Sequence, residues 1–215
     1  MHQGPRSPTV LLLVDLQKAF CDPDGSMARQ GRDIAAMREA ASRCSELARH
    51  ARESDVPVIW TRMSYRPDFL DGGRLVWELR PNLRRLGAMR SDTPDGELSD
   101  RVTAALNDVV IQKPRYSALY ATPLEAQLRA LGVERILVGG VTTSMCVETT
   151  VRDLSQRDYD TQVIGAACAD FDAERHRASL AAIEFGFAPI IDLPEASRLI
   201  DASRPPQEPG HGRPG

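Results

Sequence analysis

Three side chains in this sequence are of types that can act together: a carboxylate at Asp15, an ammonium at Lys113 and a thiol at Cys146. Each follows a short apolar run, residues 9–14 before Asp15, 109–111 before Lys113 and 135–138 before the glycine turn that leads to Cys146. In an open α/β sheet the carboxyl ends of such strands line the ligand crevice. Taken singly, a strand-end Asp reads as a turn cap and a lone Lys as a solvated surface charge. Together they make chemical sense. Lys113 can hold a thiolate by charge, and Asp15 can take the thiol proton and later deliver it to a leaving amine.

Cys146 has the most distinctive setting. Residues 136–150 read as a buried strand, a turn at Gly139 and Gly140, then Thr-Thr-Ser opening a helix at or just before the cysteine. The first backbone N–H groups of a helix are unpaired and favour an anion. A thiolate there is stabilised, so the thiol is expected to titrate below the free value of about 8.5. The competing reading is a small apolar core residue, a common fate of free cysteine. Cys21 and Cys168 also fall near strand ends but lack the strand-turn-helix setting, and Cys44 belongs to an apolar helix face. No Cys-x-x-Cys pair occurs, which speaks against a zinc cage or a disulfide framework. Of the four histidines, His2 and His211 are terminal, while His50 and His176 fall on charged helical faces, so a Cys–His set is not expected.

The elements that must position these groups alternate strictly. Expected strands at 9–14, 56–61, 109–111, 135–138, 161–164 and 188–191 are interleaved with expected helices at 32–54, 122–131, 143–157, 172–185 and 194–202. Residues 98–106 are weakly helical, and Thr122 with Pro123 reads as an N-cap followed by a first-turn proline. Continuous apolar strands alternating with helices indicate a parallel sheet covered on both faces. The segment 62–96, rich in Arg, Pro, Gly and Asp, is expected to be a long irregular stretch of functional importance. Its Tyr65, Arg66, Phe69 and Trp77 are candidates for a substrate lid, with an arginine able to clasp a carboxylate. Phe20 and Tyr116, beside the proposed reactive groups, are candidates for pocket walls, and Arg152 with Asp153 reads as structural ion-pairing.

A chain of 215 residues, 42% hydrophobic, suits one domain, placed at 8–202 with flexible ends at 1–7 and 203–215. Twenty-seven basic and 30 acidic residues give a net charge of −3 with no basic stripe, so nucleic acid is not an expected partner. No membrane span and no signal peptide is legible, and the cytoplasm is the expected location.

Three blocks, Val14-Asp15-Leu16-Gln17 with Phe20, Lys113-Pro114-Arg115-Tyr116-Ser117, and Gly140 through Cys146 to Asp153, resemble the isochorismatase-like cysteine hydrolases over residues 8–192. The resemblance implies a three-layer α/β/α sandwich, Rossmann-like, around a six-stranded parallel sheet. It also implies roles: Cys146 as nucleophile, Asp15 as general base and acid, and Lys113 as the orienting cation. A non-proline cis peptide would fall between Val141 and Thr142, with the N–H groups of Thr142 and Cys146 as the oxyanion hole.

Nicotinamidases of that superfamily carry an Asp-x-His metal motif after the second strand; here the region reads Thr61-Arg62-Met63-Ser64-Tyr65, without histidine, so no metal and no cofactor are expected. The blocks are most similar to those of ureidoacrylate, biuret and N-carbamoylsarcosine amidohydrolases, which implies a small carboxamide or ureido substrate, a thioester intermediate and release of ammonia. Two alternatives stay open: a vinyl ether hydrolase of the isochorismatase type, and a non-catalytic binding member of the fold. Association into dimers or tetramers is expected by the same resemblance, with the helix face at 178–187 as a candidate contact.

Overall fold

The computed structural model describes residues 8–203; the remaining terminal residues, read above as flexible ends, lie outside the described residues. Six strands, β1 (Thr9–Val14), β2 (Val58–Met63), β3 (Val109–Lys113), β4 (Arg135–Val141), β5 (Asp160–Ala169) and β6 (Ile190–Ile191), form one sheet in the order β3-β2-β1-β4-β5-β6. Every pairing is parallel, as the uninterrupted apolar runs require. β1 is buried along its whole length because both faces are covered.

Eight α-helices accompany the strands: α1 (Lys18–Cys21), α2 (Ser26–Arg29), α3 (Ala35–Glu53), α4 (Pro81–Arg85), α5 (Leu124–Ala130), α6 (Glu148–Ser155), α7 (Ala173–Gly186) and α8 (Leu193–Ala202). Right-handed crossovers send the chain one way from β1 to β3 and the other way from β4 to β6. Helices on the two arms therefore cover opposite faces. α3 buries Met37, Ala41, Cys44 and Leu47 and packs with α8, while α6 packs with α7. The reversal of strand order falls between β1 and β4, where open α/β sheets place their ligands. Among the described residues, no helix is long and apolar enough to cross a membrane.

Several local expectations need correction. Residues 98–106 form turns rather than a helix, because Ser99 N–H donates to the Leu16 carbonyl and the Ser99 hydroxyl bonds Asp22, tying the segment to the loop after β1. β5 runs on through Cys168 to Ala169, beyond the expected end at 164. A register shift between Val138 and Gly140 lets β4 pair again with Cys168 and Ala169. The segment 62–96 is not structureless. It carries helical turns at Leu70–Gly72, Leu75–Leu79 and Pro94–Gly96 besides α4, and the buried Asp95 carboxylate accepts from the N–H groups of Ser26 and Met89, both at 2.7 Å.

Arg152 and Asp153 form ion pairs, Arg152 with a residue one turn back on α6 and Asp153 with one just past its end. Arg152 meets Glu148 at 2.6 Å and Asp153 meets Arg157 at 3.2 Å.

Candidate active site

β1 delivers Asp15 at its carboxyl end, in the left-handed region at φ 54°, which Asp tolerates better than most residues. Its Oδ1 accepts from the Thr61 hydroxyl on β2 at 2.7 Å, and its Oδ2 lies 2.6 Å from Lys113 Nζ at the end of β3. Neither side chain of that ion pair has any solvent exposure. Lys113 Nζ also donates to the carbonyls of Arg115 and Tyr116, both at 3.0 Å, so its protons are directed. Burial alone would lower the Lys113 pKa. The facing Asp15 and Cys146 outweigh it and raise the ammonium above its ordinary value.

β4 must approach β1 closely to bring Cys146 to this pair. Gly140 makes that possible: at φ 128°, a Cβ here would fall 2.1 Å from the Val14 carbonyl oxygen. The Val141–Thr142 peptide is cis. Thr143–Val147 is then a single wide π-helical turn, not the start of a regular α-helix, and α6 begins only at Glu148. Cys146 sits in that turn, 3% exposed, close enough to Asp15 and Lys113 for both to act on its charge.

The expected fall in the thiol pKa does not occur. Burial pushes the Cys146 thiol well above its ordinary value; Asp15 adds to the rise, and Lys113 offsets only part of it. Burial thus favours the neutral form of the thiol.

Several residues that anchor the turn carrying Cys146 escaped the sequence reading. Asp170, at the end of β5 with a fully buried side chain, accepts from the Ser144 N–H at 3.0 Å and the Ser144 hydroxyl at 2.6 Å, and pairs with Arg175 at 3.2 Å. From α7, Ser179 donates to the Thr143 carbonyl at 3.2 Å, and the His176 ring lies 2.8 Å from the Thr143 hydroxyl. A strand-end carboxylate followed by His and Ser three positions apart on one helix face was the available signal. Gln17 joins β2 to the 62–96 segment, accepting from Met63 N–H at 2.7 Å and donating to the Met63 and Gly96 carbonyls at 2.8 and 3.0 Å.

A cavity of about 360 Å³ opens onto Cys146 and Thr142, with Phe20, Met145 and Tyr116 among its walls. Asp15 and Lys113 lie behind the thiol. A larger open depression near Arg129 and Asp160 lies beside the first residues of β4 and β5, the opposite edge of the sheet.

Of the aromatic and arginine candidates, Phe20 and Tyr116 line the cavity, whereas Tyr65, Arg66 and Trp77 do not. Tyr65 is wholly buried against Phe69, and its hydroxyl makes no hydrogen bond among the described residues. Burial, then the neighbouring Cys146, raises its pKa. Arg66 is occupied by Asp68 at 2.7 Å, and Trp77 by the Phe69 carbonyl and the Arg84 guanidinium. Cys168 is a buried strand residue whose thiol burial pushes up to about 12.

The isochorismatase domain model matches residues 9–195, nearly the whole described chain. The chain belongs to the isochorismatase family. The ureidoacrylate amidohydrolase of Methylobacterium radiotolerans is 32% identical over 200 residues, an alignment covering 86% of this chain and 76% of that protein. Among solved structures, a cysteine hydrolase from Pseudomonas syringae pv. phaseolicola aligns with a TM-score of 0.83 at 29% identity, over 94% of this chain and all of the other. The N-carbamoylsarcosine amidase of Thermoplasma acidophilum shares the fold, with a TM-score of 0.66 at 22% identity over 85% of this chain and 95% of its own.

Proposed function

We propose that this isochorismatase-family protein is a metal-independent cysteine amidohydrolase acting on a small carboxamide or ureido substrate. The observation that carries the reading is the buried Asp15–Lys113 pair, 2.6 Å apart, directly behind a thiol that opens into a small cavity. The similarity to ureidoacrylate amidohydrolases supports a ureido or carbamoyl group as the cleaved unit.

In this mechanism the Cys146 Sγ attacks the carbonyl carbon as Asp15 takes the thiol proton. Lys113 balances the carboxylate before transfer and the developing sulfur charge during it. The N–H groups of Thr142 and Cys146 receive the oxyanion. Collapse breaks the C–N bond, the proton on Asp15 passes to the departing nitrogen, and ammonia leaves. Water then attacks the thioester carbonyl, giving its proton to Asp15, and the thiolate departs to be reprotonated from the same carboxyl. Phe20 and Tyr116 serve as walls of the substrate cavity, and Tyr65 supports the nucleophile from behind. A cytoplasmic location and assembly into dimers or tetramers through residues 178–187, where Phe185 is almost fully exposed, complete the reading.

The test is ammonia release from ureidoacrylate, biuret, N-carbamoylsarcosine, nicotinamide and maleamate, with Cys146→Ala alongside. Release from one substrate, lost in the variant, is expected. Full activity in a verified Cys146→Ala preparation would overturn the reading, as would pyruvate release from isochorismate that survives thiol alkylation.

A further inference from the structure

The 62–96 segment is rich in arginine, and most of its guanidiniums have a partner, Arg62 excepted, whose buried Nε makes no hydrogen bond among the described residues. Arg66 meets Asp68, Arg74 meets Glu78, Arg90 meets Asp92, and Arg84 stacks on Trp77. Arg80 differs. It has no carboxylate partner among the described residues; its guanidinium approaches the Met145 sulfur at 3.6 Å and shares the cavity wall with Tyr116, on whose hydroxyl its charge acts. Met145 directly precedes the nucleophile, and Tyr116 follows Lys113 by three residues. The guanidinium thus spans two walls of the cavity that opens onto Cys146.

Its backbone is fixed on both sides. The Arg80 N–H donates to the Leu75 carbonyl at 2.7 Å, its carbonyl accepts from Leu83 at 3.0 Å, and Pro81 restricts its backbone angles. The charge of the cavity agrees: Arg32, Arg80, Arg85 and Arg175 line it, with no Asp or Glu among its walls. Arg175 is held by Asp170 and Arg85 by Asn82. A guanidinium without a counter-ion, over a cavity of one charge sign, attracts an anion and can grip a carboxylate by two parallel hydrogen bonds.

We infer that Arg80 is the specificity-determining residue of this site, holding a carboxylate of the substrate while the scissile carbonyl lies at Cys146. The inference rests on the amidohydrolase reading and narrows it: the substrate is a short acid bearing a terminal ureido or carboxamide group. The clasp expected of Arg66 falls to Arg80.

The test separates binding from turnover by using the Cys146→Ala protein. 3-Ureidopropionate and its neutral amide, 3-ureidopropionamide, are titrated into it by calorimetry, alone and in combination with Arg80→Gln or Arg80→Lys. A charge-assisted contact predicts that the acid binds at least about tenfold more tightly than the amide. Arg80→Gln should abolish that preference, leaving amide affinity within about twofold, and Arg80→Lys should restore part of it. Equal binding of acid and amide, a preference that survives Arg80→Gln, or binding of neither would overturn the inference. A wild-type protein that prefers the acid yet releases no ammonia from any ureido or carboxamide compound would contradict the amidohydrolase reading alone.

Discussion

Asp15 Oδ2 and Lys113 Nζ stand 2.6 Å apart with no solvent access to either side chain. Two charges removed from water together cost several kcal/mol in desolvation, which their attraction and the surrounding hydrogen bonds offset. Here Thr61 satisfies one side of the carboxylate and two backbone carbonyls satisfy the ammonium. Removing one partner strands the other. Lys113→Met or Asp15→Asn should each lower unfolding free energy by about 3–5 kcal/mol, with the double variant recovering much of the loss. Urea denaturation of the four proteins checks this, and additive losses would show that the pair is not coupled.

The Cys146 thiol is held above its ordinary pKa by burial and by Asp15. Alkylation by iodoacetamide, followed at the Cys146 peptide by mass spectrometry, should be slow at pH 7 and still rising through pH 9, since free thiolate becomes available only there. A plateau near pH 8 would contradict it. The same shift links to stability. A thiol that keeps its proton in the native state but loses it above about pH 8.5 when unfolded makes the fold weaken as pH rises past that value. Each such group contributes at most about 1.4 kcal/mol per pH unit. Below it the contribution is fully present.

Gly140 is where β4 reaches the residue before Asp15. Gly140→Ala places a methyl group 2.1 Å from the Val14 carbonyl at a φ of 128°, so the strands must part. The expected cost is about 1–3 kcal/mol of stability. Turnover should fall further than that loss explains, since Asp15 and Cys146 move apart. A melting curve with steady-state rates measures both, and unchanged values would show that the close approach is dispensable.

Asp170 holds Ser144, two residues before Cys146, and is expected to act on the reaction through it. Asp170→Ala removes the single oxygen that accepts both Ser144 hydrogen bonds and should lower kcat by up to about 100-fold with KM little changed, the loss expected when a reacting atom drifts by about 1 Å. Asp170→Asn, which keeps one acceptor oxygen, should recover part of the rate. Equal kcat in all three proteins would reduce Asp170 to a structural residue.

The sheet and the meeting of Asp15, Lys113 and Cys146 at its edge were legible because parallel strands are written as unbroken apolar runs, and their ends locate the crevice without further information. β1 needs only Thr9–Val14 to be recognised. What escaped depends on contacts remote in sequence. The 98–106 segment has helical composition, but Ser99 is claimed by Leu16 and Asp22 across the fold. The pKa of Cys146 was misread because a helix-terminus argument counts local dipoles, whereas burial of the whole turn dominates the thiol. Arg66 and Arg80 look equivalent in the chain. Only the fold shows that Asp68 occupies the first, while Met145 and Tyr116 bring the second to the cavity.

The proposed mechanism requires Cys146 to form a covalent bond with the substrate carbonyl. Rapid acid quenching of the enzyme during turnover of the best ureido or carboxamide substrate, followed by peptide mass analysis, tests it most directly. An added acyl mass is expected on the Cys146 peptide, absent from Cys146→Ala, that decays as ammonia and the second product reach their final levels. Sustained turnover with an unmodified Cys146 peptide, or with Cys146→Ala at full rate, would contradict it.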